Sequence, residues 1–597
     1  MVDYKLVKIL ENIAFLLEFS GENKFKAVAY SKAASIIEDE EVDVHLLVKN
    51  GNINQINGFG DALVKKITDY VLNGKMEFYE NLIQKVPEQI ADLNQISGLG
   101  VSKIKFLVEN FSIKSIEDLE NAIENNLLVN AKGFTPKAIL GIKNSISKIK
   151  SYKSSTYLHI AYDEANDIIK RIKSHNHTKQ FNIEKIAIVG DLKRYTEVVS
   201  KIDIVIGLDV DLNADDKNNI VEIEKYIKDI LLDYNLQLSS LDDSNIISGV
   251  AKCRVKLNLF IVGNDDFAVA CHNLTTSNEY LEAYKEYISY SGLKFENYKL
   301  IDSRNNVVKI EKESELYTNI GLKFVEPENR DDAKTVEFAM KSALPITVGL
   351  NDLRGMLHCH STWSDGKNTL KEMALETQRL GFEYFGICDH SKTAAYANGL
   401  SIDRVLEQHQ LIEELNNEFK SNNSNFRIIK GIESDILIDG SLDYPDEILE
   451  KFDFVVASVH SGFNMGLNEM TERVSKALSN KYTTILGHPT GRILLQRESY
   501  QIDLNEILRV AADNNKIMEI NASPYRLDLT TEWASKCKAL NLKIAINPDA
   551  HNTKGLKHIK YGLFVGRKAF LESKDVVNTL NLKEFMNLSK QIRNFIS

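Results

Sequence analysis

The sequence predicts a multidomain chain with a helical N-terminal region, an α+β middle and a C-terminal parallel α/β domain. Three observations predict it. The chain has 597 residues, whereas a single core stops growing at about 250–300, so about three to five domains are expected. Glycine turns punctuate stretches of helical apolar spacing in residues 1–150. From residue 351 onward, short apolar runs alternate with helical stretches, the pattern of a parallel sheet.

In the first region, Leu6, Val7, Leu10, Ile13, Leu16 and Leu17 recur at helical spacing. A weak internal repeat comes next. Ile56-Asn57-Gly58-Phe59-Gly60 precedes a helix starting near Asp61, and Ile96-Ser97-Gly98-Leu99-Gly100 precedes one starting near Val101. Ala131-Lys132-Gly133-Phe134-Thr135 is a third, poorer copy. Residues 151–262 turn to mixed α/β, with strands at Lys185 to Val189, which runs into a turn at Gly190, at Ile202 to Ile206, and at Val255 to Val262. Residues 263–330 read as a small α/β unit and 331–350, through Leu344-Pro345, as a linker.

Composition narrows the class. A hydrophobic content of 43% with 26% charged residues is ordinary for a globular protein. There is no run of about 18 apolar residues, so no membrane span is expected, and Met1-Val2-Asp3-Tyr4-Lys5 does not open a signal peptide. The five cysteines are scattered without a CxxC pair, which fits a reducing cytoplasm. A net charge of −11 excludes global attraction to nucleic acid, so any DNA contact must come from local amides and local Lys/Arg clusters.

The chemistry lies at the end of each C-terminal apolar run. Arg354 to Leu357 leads into His358-Cys359-His360, with Asp365 soon after. Tyr384 to Cys388 leads into Asp389-His390, Arg427 to Ile432 into Glu433, and Phe454 to Val459 into His460. Thr484 to Gly487 leads into His488, and Lys543 to Pro548 into Asp549-Ala550-His551. One such histidine would ordinarily be a satisfied polar residue. Six of the chain's 13 histidines at strand ends of one domain point instead to a metal centre at the C-terminal end of a parallel sheet. Imidazole favours zinc, manganese or iron, and carboxylates bridge ions. Nine donors exceed one tetrahedral ion, so two to three divalent metals, manganese or zinc foremost, are expected.

These segments, with Gly431-Ile432-Glu433, Ser458-Val459-His460-Ser461 and His488-Pro489-Thr490-Gly491-Arg492, resemble the polymerase-and-histidinol-phosphatase (PHP) domain. The resemblance implies a (β/α)7 PHP barrel with a trinuclear site. It places His358, His360, Glu433 and Asp549 on one ion, Glu433, His460 and His488 on a second, and Asp365, His390 and His551 on the third. It makes Arg492 and Arg526 phosphate clamps, a role suited to guanidinium geometry. Met356 stands where the family usually has Asp, and no ligand is replaced.

The rest of the chain resembles the bacterial family X DNA polymerases in order. Leu344-Pro345, Asp352-Leu353-Arg354-Gly355 and Ala397-Asn398-Gly399-Leu400 carry part of this likeness, and Asn23 to Tyr30 resembles the start of a lyase-type domain. The turns at Gly58, Gly60, Gly98 and Gly100 resemble helix-hairpin-helix motifs, in which helix N-termini bind DNA phosphates without net positive charge. The implied organisation is a lyase-type domain over 1–85, a fingers-like domain over 86–150, a nucleotidyltransferase-like palm over 151–262, a thumb-like unit over 263–330, the linker 331–350 and the PHP domain over 351–597. Lys66 aligns with the family's Schiff-base lysine.

The polymerase centre departs from its family. Aligned through Gly190, Asp191 takes the place of the phosphate-binding Ser, Arg194 is kept, Lys201 takes the place of the first catalytic Asp and only Asp203 of the pair remains. Asn258 falls at the third Asp. Nucleotidyl transfer needs these carboxylates for two Mg²⁺ ions, so Mg²⁺ at the palm is not expected and primer extension should be weak or absent. The implied function is a cytoplasmic, monomeric DNA-repair nuclease with 3′→5′ exonuclease, 3′-phosphatase and abasic-site endonuclease as related activities on gapped, nicked or 3′-ended DNA. The rivals are a working gap-filling polymerase, a small-molecule phosphatase and a non-enzymatic DNA scaffold.

Overall fold

A computed structural model of the chain describes residues 4–595 apart from 23, 40–43, 50, 57, 97, 130, 176–182, 210–216, 233–235 and 242–244. Asn23, Asn57 and Ser97, which belong to the motifs above, lie outside the described residues. The chain divides into two compact units, Met1–Lys153 and Ser154–Ser597.

The first unit is helical. Its glycine turns are built alike: Gly58, Gly98 and Gly133 have φ of +93°, +85° and +87°, the left-handed region that glycine enters without a Cβ clash. In each, the next residue's N–H closes onto the carbonyl three back, from Phe59 to Ile56 (3.2 Å), Leu99 to Ile96 (3.0 Å) and Phe134 to Ala131 (3.1 Å). Phe59, Leu99 and Phe134 are buried, so each turn drops one apolar side chain into the core. Gly60 and Gly100 cap the helices Asp61–Asn73 and Val101–Phe111 and have no side chain to accept first-turn N–H groups. The third copy differs at this point. Thr135 Oγ1 accepts the Ala138 N–H at 3.2 Å, and Pro136, which lacks an N–H, opens the helix Pro136–Lys153.

In the second unit, a five-stranded sheet runs in the order Ile183–Val189, Lys201–Leu208, Lys256–Gly263, Ile246–Val250, Gln237–Leu241. Alternation along Lys201–Leu208 sends Ile202, Ile204 and Ile206 into the core with the helices Leu158–His175 and Lys217–Leu231. It leaves Lys201, Asp203 and Val205 on the other face. A thumb-like unit comes next, with the helix Asn278–Ser289 capped by Ser277 and the strands Lys294–Glu296, Lys299–Ile301 and Val307–Val308. Segment 331–350, expected as a linker, holds the helix Ala333–Met340. Asp332 caps it by accepting the Lys334 and Thr335 N–H groups, and Val336 and Ala339 pack into the thumb core. Local capping and a two-residue apolar face outweigh the loop-like reading of Leu344-Pro345.

Seven parallel strands then run in consecutive order: Gly355–Cys359, Tyr384–Ile387, Arg427–Asp435, Phe454–Ser458, Ile485–Leu486, Ile517–Asn521 and Ile544–Asn547. A bridge between Cys359 and Ala550 joins last to first, which makes a near-closed barrel. The palm-like sheet is welded to this barrel. One apolar cluster runs without a break from Leu158 to Val576. Tyr195, on the sheet side, stacks on Phe564 with centroids 3.4 Å apart, and from beyond the sheet Glu328 pairs with Arg567 and Asp331 with Lys568, each at 2.5 Å.

A buried and a half-buried histidine away from the barrel mouth report on acid stability. Burial lowers His272 in the thumb core to about 3. Burial, helped by His558 and Lys560, lowers His159 at the palm–barrel seam to about 3. Both stay neutral in the folded chain, while the unfolded chain protonates them near pH 6.5. Their contribution is therefore intact above pH 6.5 and is lost as pH falls toward 3, at about 1 kcal/mol per pH unit per group. The apparent melting temperature should fall from pH 6.5 to 4, and His272→Gln should flatten that fall; a slope unchanged by the substitution would contradict the assignment.

Candidate metal centre

The barrel topology brings the sequence-predicted donors together. His358 and Glu433 lie among the last residues of their parallel strands, the other donors follow a strand, and Asp365 comes from the loop after the first. Four overlapping groups place one ligand atom per residue within 4.8 Å of one another: His360, Asp365, His390 and His551; His358, His360 and Asp549; His358, Glu433 and His488; His390, Glu433 and His460. All nine donors are included. The grouping differs from that of the resemblance: His488 falls with His358 and His460 with His390, each beside Glu433, and His360 also joins Asp365, His390 and His551.

Glu433 is the hub. Its Oε1 lies 2.9 Å from His488 Nε2, 3.2 Å from His358 Nε2 and 3.3 Å from His460 Nε2. Its Oε2 lies 3.1 Å from His390 Nδ1 and 3.6 Å from His360 Nε2. Asp549 Oδ1 sits 3.1 Å from His360 Nε2, and Asp365 lies 3.4 Å from His551 Nε2 and 3.5 Å from His390 Nε2. Burial works to raise the Glu433 carboxyl, but His358, His460 and His390 outweigh it and hold it well below the carboxylate range. Asp365 and Asp549 are held down against burial in the same way, Asp365 by His551 and His390 and Asp549 by His358, His360 and His551. Against burial, Glu433 with Asp435 raises His460, and Asp365 with Asp549 raises His551, each to about 10. Burial, with His551 and His390, lowers His360 to about 4. The carboxylates thus gather positive charge at the places where divalent cations would supply it.

Two further observations fit a metal site. Buried ring nitrogens of His358 and His360 face carboxylate oxygens without closing a well-formed hydrogen bond, so their lone pairs remain for a Lewis acid. His358 and Asp549 hold φ of +51° each, a conformation costing about 1–3 kcal/mol that persists where the surrounding fold imposes it.

Sequence reasoning missed the carboxylates behind the donors. Glu519, fully buried, accepts from His358 Nδ1 (2.6 Å), Asn547 Nδ2 (2.7 Å) and the His488 backbone N–H (2.6 Å). Asp435 meets His460 Nδ1 at 2.6 Å and accepts from Thr393 Oγ1 at 2.9 Å. These contacts fix which ring nitrogen faces the centre. The legible signals were a lone acid inside the apolar run Ile517-Met518-Glu519-Ile520 and an acid two residues beyond Glu433. Asp389 ties the loop carrying Asp365 to its strand by accepting from Ser361 Oγ (2.8 Å) and Gln408 Nε2 (2.7 Å).

Arg526 borders the centre, and Arg492 is bonded to its backbone. Arg526 Nε is 3.9 Å from Asp549 Oδ2. Arg492 donates from Nε to the Arg526 carbonyl (3.0 Å), and from Nη2 to the Leu527 carbonyl and to Glu197 Oε1 (2.6 Å).

The palm residues form a separate group. Asp203 and Asn258 are register partners on neighbouring strands, as are Lys201 and Lys256. Lys201 Nζ pairs with Asp203 at 2.7 Å, and Asn258 Nδ2 donates to it at 2.7 Å. Gly190 (φ +71°) packs so closely that a Cβ would lie 2.7 Å from Asp203 Oδ2. Arg194 is buried and engaged by Asp331 (2.7 Å), the Thr275 carbonyl (2.6 Å) and Asp191. In the first unit, Lys66 lies over Phe78 at 4.8 Å and near Tyr30 at 5.8 Å.

The arrangement defines a class: a phosphoesterase barrel of PHP type fused to a polymerase-like core. The PHP domain family matches residues 356–523, a helix-hairpin-helix domain residues 3–76 and the DNA polymerase beta thumb residues 270–331. The DNA polymerase/3′-5′ exonuclease PolX of Bacillus subtilis (strain 168) is 32% identical over 97% of this chain and 98% of the relative. A probable phosphatase of Acetivibrio thermocellus is 30% identical over 32% of this chain and 78% of its own length. One from Thermoanaerobacter sp. (strain X514) is 31% identical over 28% and 69%. The chain belongs to the PolX family.

Removing the carboxylate behind two donors should loosen the centre without removing a donor. Glu519→Ala should lower affinity for divalent metal about 10–100-fold, with Glu519→Gln intermediate, in dialysis followed by elemental analysis. Wild-type metal retention in both would contradict the role.

Proposed function

We propose that the protein is a DNA-repair nuclease whose PHP centre hydrolyses phosphate esters of DNA from 3′ ends. His358, His360, Asp365, His390, Glu433, His460, His488, Asp549 and His551 hold two to three divalent ions, manganese or zinc. The observation that carries this reading is the convergence of five imidazoles on the two oxygens of one buried carboxylate, Glu433. When bound, such ions polarise a phosphoryl oxygen and acidify water. The protein's own part is to hold the phosphate: Arg492 and Arg526 offer N–H groups to its oxygens. Asp435 and Glu519 keep the imidazoles of His460 and His358 turned toward the centre.

DNA is the partner, engaged through the turns at Gly58, Gly60, Gly98 and Gly100, whose helix N-termini present amide groups to phosphates. Lys66 is read as the Schiff-base lysine for abasic sites, and borohydride trapping lost in Lys66→Ala tests it. A monomeric, cytoplasmic protein completes the reading.

Primer extension is proposed to be lost. Lys201 places a cation where Mg²⁺ would be needed, Asn258 offers a neutral amide and Asp191 repels a triphosphate. Arg194 could meet a nucleotide only by leaving Asp191 and Asp331. Two assays on full-length protein test the whole reading. A 5′-labelled gapped duplex should be shortened from its 3′ end with Mn²⁺ or Zn²⁺. A one-nucleotide gap should not be filled with Mg²⁺ or Mn²⁺. Robust filling that Asp203→Ala abolishes would instead establish a working polymerase.

A further inference from the structure

We infer that Glu197, a residue of the palm, is a positioning residue for the nuclease: it orients Arg492 for the substrate phosphate. The inference rests on the reading of Arg492 as a phosphate clamp. Glu197 lies between the short helix Gly190–Lys193 and the strand Val198–Val199, outside the barrel that carries every metal donor. Its Oε1 nevertheless reaches Arg492 Nη2 at 2.6 Å, with side chains 32% and 14% exposed respectively.

The geometry assigns the direction of the effect. A guanidinium has five N–H donors in a rigid plane. Arg492 spends Nε on the Arg526 carbonyl and Nη2 on the Leu527 carbonyl and Glu197. Among the described residues, Nη1 donates to none, which leaves its two N–H groups for an incoming anion. Two carbonyls hold one edge of the plane. Glu197 is the carboxylate that accepts directly from Arg492, at the same Nη2 that meets the Leu527 carbonyl, and with the nearby Asp528 it offsets a charge largely withdrawn from water. Neighbouring contacts keep Glu197 in place: Gln496, four residues beyond Arg492, donates to Tyr157 Oη at 3.1 Å, and Tyr157 meets Tyr525 edge-on at 4.9 Å, one residue from Arg526. Strand pairing joins Tyr157 to Val198, the residue after Glu197. The palm thus grips both clamp arginines through one strand pair. Without Glu197, Arg492 samples more orientations and meets phosphate less often, which weakens binding more than turnover.

The test uses full-length protein with Mn²⁺, a 3′-ended labelled DNA strand and bis(p-nitrophenyl) phosphate as a small diester. Arg492→Ala should raise KM on both substrates by about tenfold or more. Glu197→Ala should raise KM by about three- to tenfold with kcat within about twofold, and Glu197→Gln, isosteric and less disruptive, should lie between. The double variant should match Arg492→Ala, because a positioning residue has nothing left to position. A Glu197 effect that persists in full beside Arg492→Ala would mark a merely structural role and overturn the inference. So would an unchanged or lowered KM in both Glu197 variants while Arg492→Ala is impaired. If Arg492→Ala itself leaves KM unchanged, the clamp reading fails, and the inference with it. Metal content and melting temperature of each variant separate these outcomes from misfolding.

Discussion

A carboxylate withdrawn from water stays ionised only if positive charge or hydrogen-bond donors replace the lost hydration. Glu433 is such a group: buried at the end of a barrel strand and bracketed by His358, His360, His390, His460 and His488. The rest of the barrel mouth depends on it. Imidazoles gathered about one acid create pairwise repulsion that Asp365 and Asp549 offset, and the outer acids Glu519 and Asp435 hold two of the rings in place. The density of donors, with one ligand atom from each of nine side chains in overlapping groups within 4.8 Å, is what makes the centre read as a metal site.

The palm-like sheet contrasts with this centre. The strands Lys201–Leu208 and Lys256–Gly263 run in register and Gly190 packs on Asp203. Lys201 and Asn258 satisfy Asp203 from within the chain. Its arginine, Arg194, is tied to Asp191 and Asp331, and Asp331 in turn to Lys568 of the barrel. The palm-like sheet and the barrel share one apolar core, and Glu328 and Asp331 add ion pairs to the barrel's Arg567 and Lys568.

Much of this was legible in the sequence because parallel strands announce themselves as short apolar runs and barrel chemistry falls at their ends. His460 after Phe454 to Val459, and Asp549 after Lys543 to Pro548, could be placed by that rule alone. The hairpin turns were legible through glycine, whose positive φ no other residue adopts as readily. The remainder was hidden because it depends on distance across the fold. Glu519 looks like a misplaced acid until His358 and His488 arrive from other strands. Glu197 has no local pattern, and its partner lies 295 residues away. The helix Ala333–Met340 was obscured by the Leu344-Pro345 pair just beyond it, and the sharing of His488 with His358 cannot be read from spacing.

The most direct measurement is the metal stoichiometry of full-length Glu433→Gln against the unaltered chain, taken together with its hydrolysis of 3′-ended DNA. The account predicts that replacing one carboxylate oxygen by an amide removes more than one equivalent of bound divalent ion, because Glu433 touches donors of several groups, and that hydrolysis disappears with it. A variant that keeps its full metal complement and digests DNA at the normal rate would contradict the central claim.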